Sequence, residues 1–246
     1  MTLSGAPAVK AALAALATPE RAKASAWFFK TGPGQYGEGD QFIGVSVPQQ
    51  RTVVRQFEKL AFQDIEKLLV SPIHEHRLTA TLILVRQFGQ AKKDSAQQLK
   101  IVEFYLQHLH GINNWDIVDS SASYILGDYY LARPEQNAEW QKLLRKLVRS
   151  PVVWERRVAV LAAGAFIRVG IFDDTLELAE LLVADKHDLI HKAVGWMLRE
   201  VGKKDEKVLR QFLDKHASVM PRTMLRYAIE RFSKSDREHY LFFKGL

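Results

Sequence analysis

Asn113-Asn114-Trp115-Asp116-Ile117-Val118-Asp119 holds the residues of this 246-residue chain whose types and spacing best suit chemistry. On a helix, Trp115 and Asp119 stand four positions apart and share one face, with Asp116 placed to cap that helix. A carboxylate beside the electron-rich face of an indole is a pair that stabilises positive charge. On the residues alone two readings stay open: the pair works on a ligand, or Trp115 fills core and Asp119 pairs with an arginine. Ala193-Val194-Gly195-Trp196-Met197-Leu198-Arg199-Glu200 sets another tryptophan beside a glycine. Something can approach closely there, or the indole simply packs.

Arg156 and Arg157 open a helix, as do Lys192 and Arg222. Cations at helix starts oppose the macrodipole, whereas the amides there attract phosphate. The arginines read as a phosphate track or as a solvated charged face. Lys and Arg number 35 against 28 Asp and Glu, a net charge of +7. That balance favours a polyanionic partner and is only a first filter.

Other patterns carry less. Gly32-Pro33-Gly34-Gln35-Tyr36-Gly37 spells a dinucleotide fingerprint, but the residues before it, Ala26 to Lys30, end a helix and more loop follows. The fingerprint needs a preceding strand and a following helix, so the expectation is a structural loop over Thr31–Ser46. His74, His76, His108 and His110 come in i, i+2 pairs, whereas helical metal ligands need i, i+3 or i, i+4. Surface or capping roles are expected for them, and no metal site. With no cysteine there is no disulfide framework, which fits a reducing cytoplasm. Met1–Glu20 is alanine-rich with Lys10 in its middle and does not read as a signal peptide; no apolar run reaches the length of a membrane span.

Helices must position these residues. Apolar spacings of three and four run through Val53–Val70, Leu78–Phe88, Ile101–Leu109, Val158–Ile167, Leu176–Val183 and Ile190–Val201, and prolines 48, 72, 134, 151 and 221 fall between them. Ser71-Pro72-Ile73-His74-Glu75-His76-Arg77 resembles Ser150-Pro151-Val152-Val153-Trp154-Glu155-Arg156-Arg157, with a looser copy at Asp188–Ala193. Arg77, Asp119, Arg157 and Trp196 follow one another at intervals of 42, 38 and 39 residues. A period near 40 suits HEAT-like helical pairs, whose equivalent positions line one concave face. The expected fold is an all-α HEAT-like solenoid, a single domain over residues 1–246.

At these residues the sequence resembles the AlkD family of DNA alkylation-repair glycosylases. Four passages carry the resemblance: Phe28-Phe29-Lys30-Thr31-Gly32 through Val47-Pro48, Trp115–Asp119, Trp154–Arg157 and Ala193–Glu200. It implies a superhelical stack with a basic concave groove holding duplex DNA, and hydrolysis of the N-glycosidic bond of cationic purines such as 7-methylguanine and 3-methyladenine. Carried over by motif, Asp119 matches the catalytic carboxylate and Trp115 and Trp196 the aromatic pair beside the deoxyribose. Arg157 matches the arginine near the lesion; Arg199 and Arg226 are looser matches to phosphate contacts, joined by Arg156 and Lys192. Phe28 falls where some members carry tyrosine. The resemblance calls for no metal or organic cofactor, no membrane, and a monomer acting on alkylated duplex DNA in the cytoplasm, at the nucleoid. A relative that binds bent or branched DNA without excision, and a HEAT-like scaffold for protein partners, are the rival readings.

Overall fold

The computed structural model describes residues 4–242, so Met1–Leu3 of the N-terminal segment and the last four residues of the expected domain lie outside the described residues. The described residues are almost wholly helical, and the one pairing outside helices is an isolated parallel bridge between Gln41 and Ile73. The chain forms two compact units, Met1–Ser121 and Ala122–Leu246, where the sequence reading takes one domain.

The first unit runs α1 (Gly5–Ala14), α2 (Pro19–Phe28), α3 (Val47–Gln56), α4 (Phe62–Leu69), α5 (His74–Gln90), α6 (Ser95–Gln107) and α7 (Trp115–Asp119). The apolar pattern expected to form one helix over 53–70 is two helices. Residues 57–61 leave the helix between α3 and α4, and Leu60 stays buried across the break, so the pattern runs on without the backbone. α1, α3, α4 and α5 meet in a core of Val9, Leu13, Val53, Val54, Ile65, Leu68, Ile83 and Leu84. Each such side chain contributes about 1.5–3 kcal/mol on burial. The N-terminal part of α5 is covered on every side, with His74 through Leu84 buried without interruption.

The loop over 31–46 packs against the start of α5. Buried Glu75 accepts the backbone amides of Ile43 at 3.1 Å, Gly44 at 2.8 Å and Val45 at 3.3 Å. Gly44 has φ +82°, and a Cβ there would lie 2.1 Å from the Thr18 carbonyl oxygen, so both conformation and space require glycine.

The second unit begins with a π-helical turn, Ser123–Gly127. It continues through α8 (Asp128–Leu131), α9 (Asn137–Val148), α10 (Val153–Arg168), α11 (Asp173–Leu182), α12 (Asp188–Lys204), α13 (Glu206–His216), α14 (Arg222–Ala228) and α15 (Lys234–Phe242). α10 packs on α9, α11 and α12, and α12 on α13 and α14.

The sequence repeat has a structural counterpart in how three helices open. Before α5, the Ser71 hydroxyl oxygen accepts from the Ile73 amide (3.2 Å) and Arg77 donates to the Ser71 carbonyl (2.9 Å). Before α10, Ser150 accepts from Val152 (3.0 Å) and Arg156 donates to the Ser150 carbonyl (2.8 Å). Before α12, Asp185 accepts from His187 (2.8 Å), and His191 bonds the Asp185 carbonyl. The entry residues Ile73 (φ −81°, ψ 118°), Val152 (φ −80°, ψ 117°) and His187 (φ −94°, ψ 122°) share one extended conformation. The partner six residues on is Arg77, Arg156 or His191, so Arg156 and not Arg157 is the equivalent of Arg77.

Candidate functional site

α7 is five residues long, too short to hold itself as a helix. Its place is fixed from outside. Buried Asn114 is its N-cap and accepts from the Trp115 amide at 2.8 Å. Asp116, expected to be the cap, sits in the first turn, where its Oδ1 accepts from the Ile117 amide at 2.9 Å. Ile117 and Val118 are buried. The Ser120 hydroxyl donates to the Asp116 carbonyl, and the Ser121 hydroxyl to that of Ile117 at 2.6 Å. Trp115 and Asp119 are left half-buried on the same face. Behind them the buried Tyr105 phenol meets Ser121 Oγ at 2.9 Å; burial pushes its ionisation up, and the Asp119 charge adds to that.

The Trp115 ring rests on a layer of aromatic rings. It stacks on Phe29, centroids 5.2 Å apart and planes 15° apart, and Phe28 meets its edge at 6.0 Å. Phe29 in turn stacks on Phe42 at 5.0 Å and lies 4.8 Å from the His74 ring. Phe28 is 56% exposed, and its neighbour Trp27 is 83% exposed. The exposed Phe28 ring therefore lies beside Trp115 on Asp119's helix.

Beneath this layer is a polar network that the sequence reading missed. His74 Nε2 meets Asp116 Oδ2 at 2.8 Å and its Nδ1 meets Asp40 Oδ2 at 3.2 Å. Arg77 donates to Asp40 Oδ1 at 2.6 Å and to Asn113 Oδ1 at 3.0 Å, and Asn114 donates to Asp40 at 2.9 Å. Burial alone would raise the Asp40 carboxyl, but His74, Arg77 and Asn114 together hold it below its ordinary value. The surface or capping role expected of the first histidine pair is corrected: His74 is 2% and His76 5% exposed. His76 bonds Ser71 Oγ at 2.8 Å, and burial, with Lys10 and Arg77 nearby, pushes it down to about 4. Of the second pair, His110 is exposed and half-buried His108 bonds the Phe104 carbonyl at 2.7 Å. A signal was present: His74-Glu75-His76-Arg77 leads without a break into Leu78–Leu84, a stretch with no charged residue. Polar residues opening a helix buried all round are themselves inside and must be paired.

In the second unit Trp196 is half-buried on α12, its indole N–H donating to Glu200 at 3.2 Å. The close approach that Gly195 allows is made by the protein: a Cβ there would lie 2.4 Å from the Met224 carbonyl oxygen and 2.6 Å from Tyr227 Cβ, both on α14. The basic residues divide into three groups. Arg156 is committed to Asp185 at 2.8 Å and to the carbonyls of Ser150 and Pro151. Arg157 is 4% exposed and donates to the Leu189 carbonyl, tying α10 to the start of α12. Lys192 pairs with Asp188 at 2.7 Å, and Arg199 with Glu230 and, at 3.7 Å, Glu200. These pairs are partly open to solvent and so are weak and salt-sensitive. Arg226 is exposed on α14.

The glycine loop takes up its own amides: Gly32 donates to Gln35 Oε1 at 3.0 Å and Gly34 to Glu38 at 2.8 Å, as the structural-loop reading expects. Among the described residues no cluster of three His, Asp or Glu side chains has the arrangement of a metal site, and no helix is long and apolar enough to cross a membrane.

Residues 9–232 match the family model described as "DNA alkylation repair enzyme", and the chain belongs to that family. No curated protein matches. A solved structure described as a predicted DNA alkylation repair enzyme from Enterococcus faecalis superposes with a TM-score of 0.69 at 16% identity, covering 89% of this chain and 97% of that one. At that identity the likeness is one of fold, and it agrees with the all-α helical-repeat class expected from the sequence.

Proposed function

We propose that this chain is a DNA glycosylase that hydrolyses the N-glycosidic bond of cationic alkylated purines, of the 7-methylguanine and 3-methyladenine type, in duplex DNA. The observation that carries the reading is the outer face of α7, where half-buried Asp119 and Trp115 stand one turn apart on a helix fastened at its first turn.

Alkylation makes the purine a cation, and therefore a leaving group that needs no proton from the protein. The C1′–N bond breaks with its electron pair going to the base, and positive charge builds on the sugar. A carboxylate and an indole face stabilise that charge. Asp119 is assigned this role, and also the positioning of the water whose oxygen bonds C1′ as its proton is released. Trp115 provides one indole face; Trp196 is assigned the second by its motif. Phe28, open beside Trp115, contacts the sugar or a neighbouring base. Arg226, Arg199 and Lys192 hold phosphates, the last two by exchanging their solvent-exposed carboxylate partners for DNA. Arg156 and Arg157 serve from behind, by fixing the helix openings of α10 and α12. The chemistry requires no metal or organic cofactor, and one copy of the chain carries every group named.

The test is single-turnover release of 7-methylguanine from a duplex oligonucleotide. Release by the wild-type protein supports the reading. Tight DNA binding without release would replace it with a non-excising DNA-binding protein, and absence of DNA binding with a scaffold for protein partners.

A further inference from the structure

His74 is almost wholly buried, yet both of its ring nitrogens face carboxylates: Asp116 on α7 at 2.8 Å and Asp40 in the glycine loop at 3.2 Å. A neutral imidazole carries one N–H and can donate to only one of them; donation to both requires the imidazolium. The remaining surroundings suit that cation. Arg77, on the same helix, neutralises Asp40 from the other side, Asn114 donates to Asp40, and the rings of Phe29 and Phe42 lie 4.8 Å and 4.7 Å from the imidazole. Two carboxylates, one guanidinium and one imidazolium leave the group neutral.

We propose that His74 is a positioning residue for α7, bridging Asp40 to Asp116 as an imidazolium and thereby setting where Trp115 and Asp119 stand. Two routes connect it to that face. One is covalent, through Asp116, which neighbours Trp115 and lies three residues before Asp119. The other is the ring stack from His74 to Phe29 to Trp115. The catalytic consequence rests on the glycosylase reading above; the positioning itself does not.

Burial would lower the His74 pKa, but the hydrogen bonds to Asp116 and Asp40 outweigh it and raise it to about 9. Through the neutral range both bridges hold. Above about pH 9 one N–H is lost and His74 can donate to only one of the two carboxylates.

The experiment is nitrogen-15 NMR on the full chain, beside excision assays. In the wild type at pH 7.5 the His74 ring should show two protonated nitrogens. The indole N–H resonance of Trp115 should move with the His74 titration, while those of the buried Trp140 and Trp154 stay still. In His74→Gln the Trp115 resonance should be displaced at pH 7.5, with single-turnover excision down about 10- to 100-fold at DNA affinity changed by less than about threefold. A His74 ring with a single protonated nitrogen at pH 7.5, or a Trp115 resonance indifferent to the titration, would overturn the proposal. So would a His74→Gln protein with unchanged Trp115 and unchanged excision. If His74→Gln fails to fold, the wild-type titration decides alone. If the wild type releases no 7-methylguanine, the glycosylase reading falls while the resonances still decide the positioning.

Discussion

Asp119 and Trp115 were legible as a pair because their relation is local: four positions on one helix need only the helix to share a face. The prediction at Asp119 is correspondingly sharp. Asp119→Asn keeps the side-chain shape and removes the charge, so excision should fall to background while the dissociation constant for duplex DNA changes by less than about threefold, since a carboxylate facing phosphates adds little to binding. Excision above background in the variant would end the catalytic assignment. The Asp40–His74–Asp116 network was not legible. Its members come from three separated segments, and the i, i+2 spacing of His74 and His76 suggests one residue in and one out only if the helix has an outside. α5 has none at that end. The two histidines then make opposite demands on pH. His74, raised from 6.5 to about 9, adds stability that is complete below pH 6.5 and is lost as pH rises to about 9. His76, lowered from 6.5 to about 4, adds stability present above pH 6.5 and lost as pH falls to about 4. Their joint contribution peaks near pH 6.5. The urea-unfolding free energy of wild type minus that of His74→Gln should therefore shrink between pH 6.5 and 9, and a difference that is flat or growing over that range would contradict the charge state assigned to His74.

At the scale of elements, periodicity located the helices and failed where apolar spacing and backbone part company. Leu60 continues the three-and-four pattern across a break, so α3 and α4 read as one helix over 53–70. The repeat was visible, but its register was not settled by residue type, because Arg156 and Arg157 are adjacent; the hydrogen bond to the Ser150 carbonyl selects Arg156. The loop over 31–46 was legible as a loop from its glycines, and its attachment was not, because the anchor is Glu75, one of many acidic residues in the sequence. Glu75→Ala removes the acceptor of three backbone amides, at least two of them buried. Leaving buried donors unpaired should cost about 2–4 kcal/mol. Urea unfolding should report that loss, and hydrogen exchange should show the amides of Ile43, Gly44 and Val45 losing protection first. Unchanged protection there would mean that the loop is held by something other than Glu75.

At the scale of the whole molecule the property visible from composition is charge, +7 over 246 residues, and composition cannot say which cations are free to meet a phosphate. The structure divides them. The guanidinium of Arg156 is already spoken for by Asp185 and two backbone carbonyls, and replacing it would remove a hydrogen bond from each of those groups. Arg226 stands exposed on α14. Each phosphate contact releases condensed counterions and adds about 0.9 to the magnitude of the slope of log K against log salt concentration. Arg226→Ala should therefore lower that slope by about one unit with the folded protein as stable as before, to within about 0.5 kcal/mol. Arg156→Ala should behave inversely, with the slope unchanged and the unfolding midpoint lowered. Titrating both variants with one duplex across a range of salt, beside their urea-unfolding curves, separates the two effects. An equal loss of slope in both would show that the ion pair with Asp185 opens to bind DNA, and the division between committed and available cations would have to be redrawn.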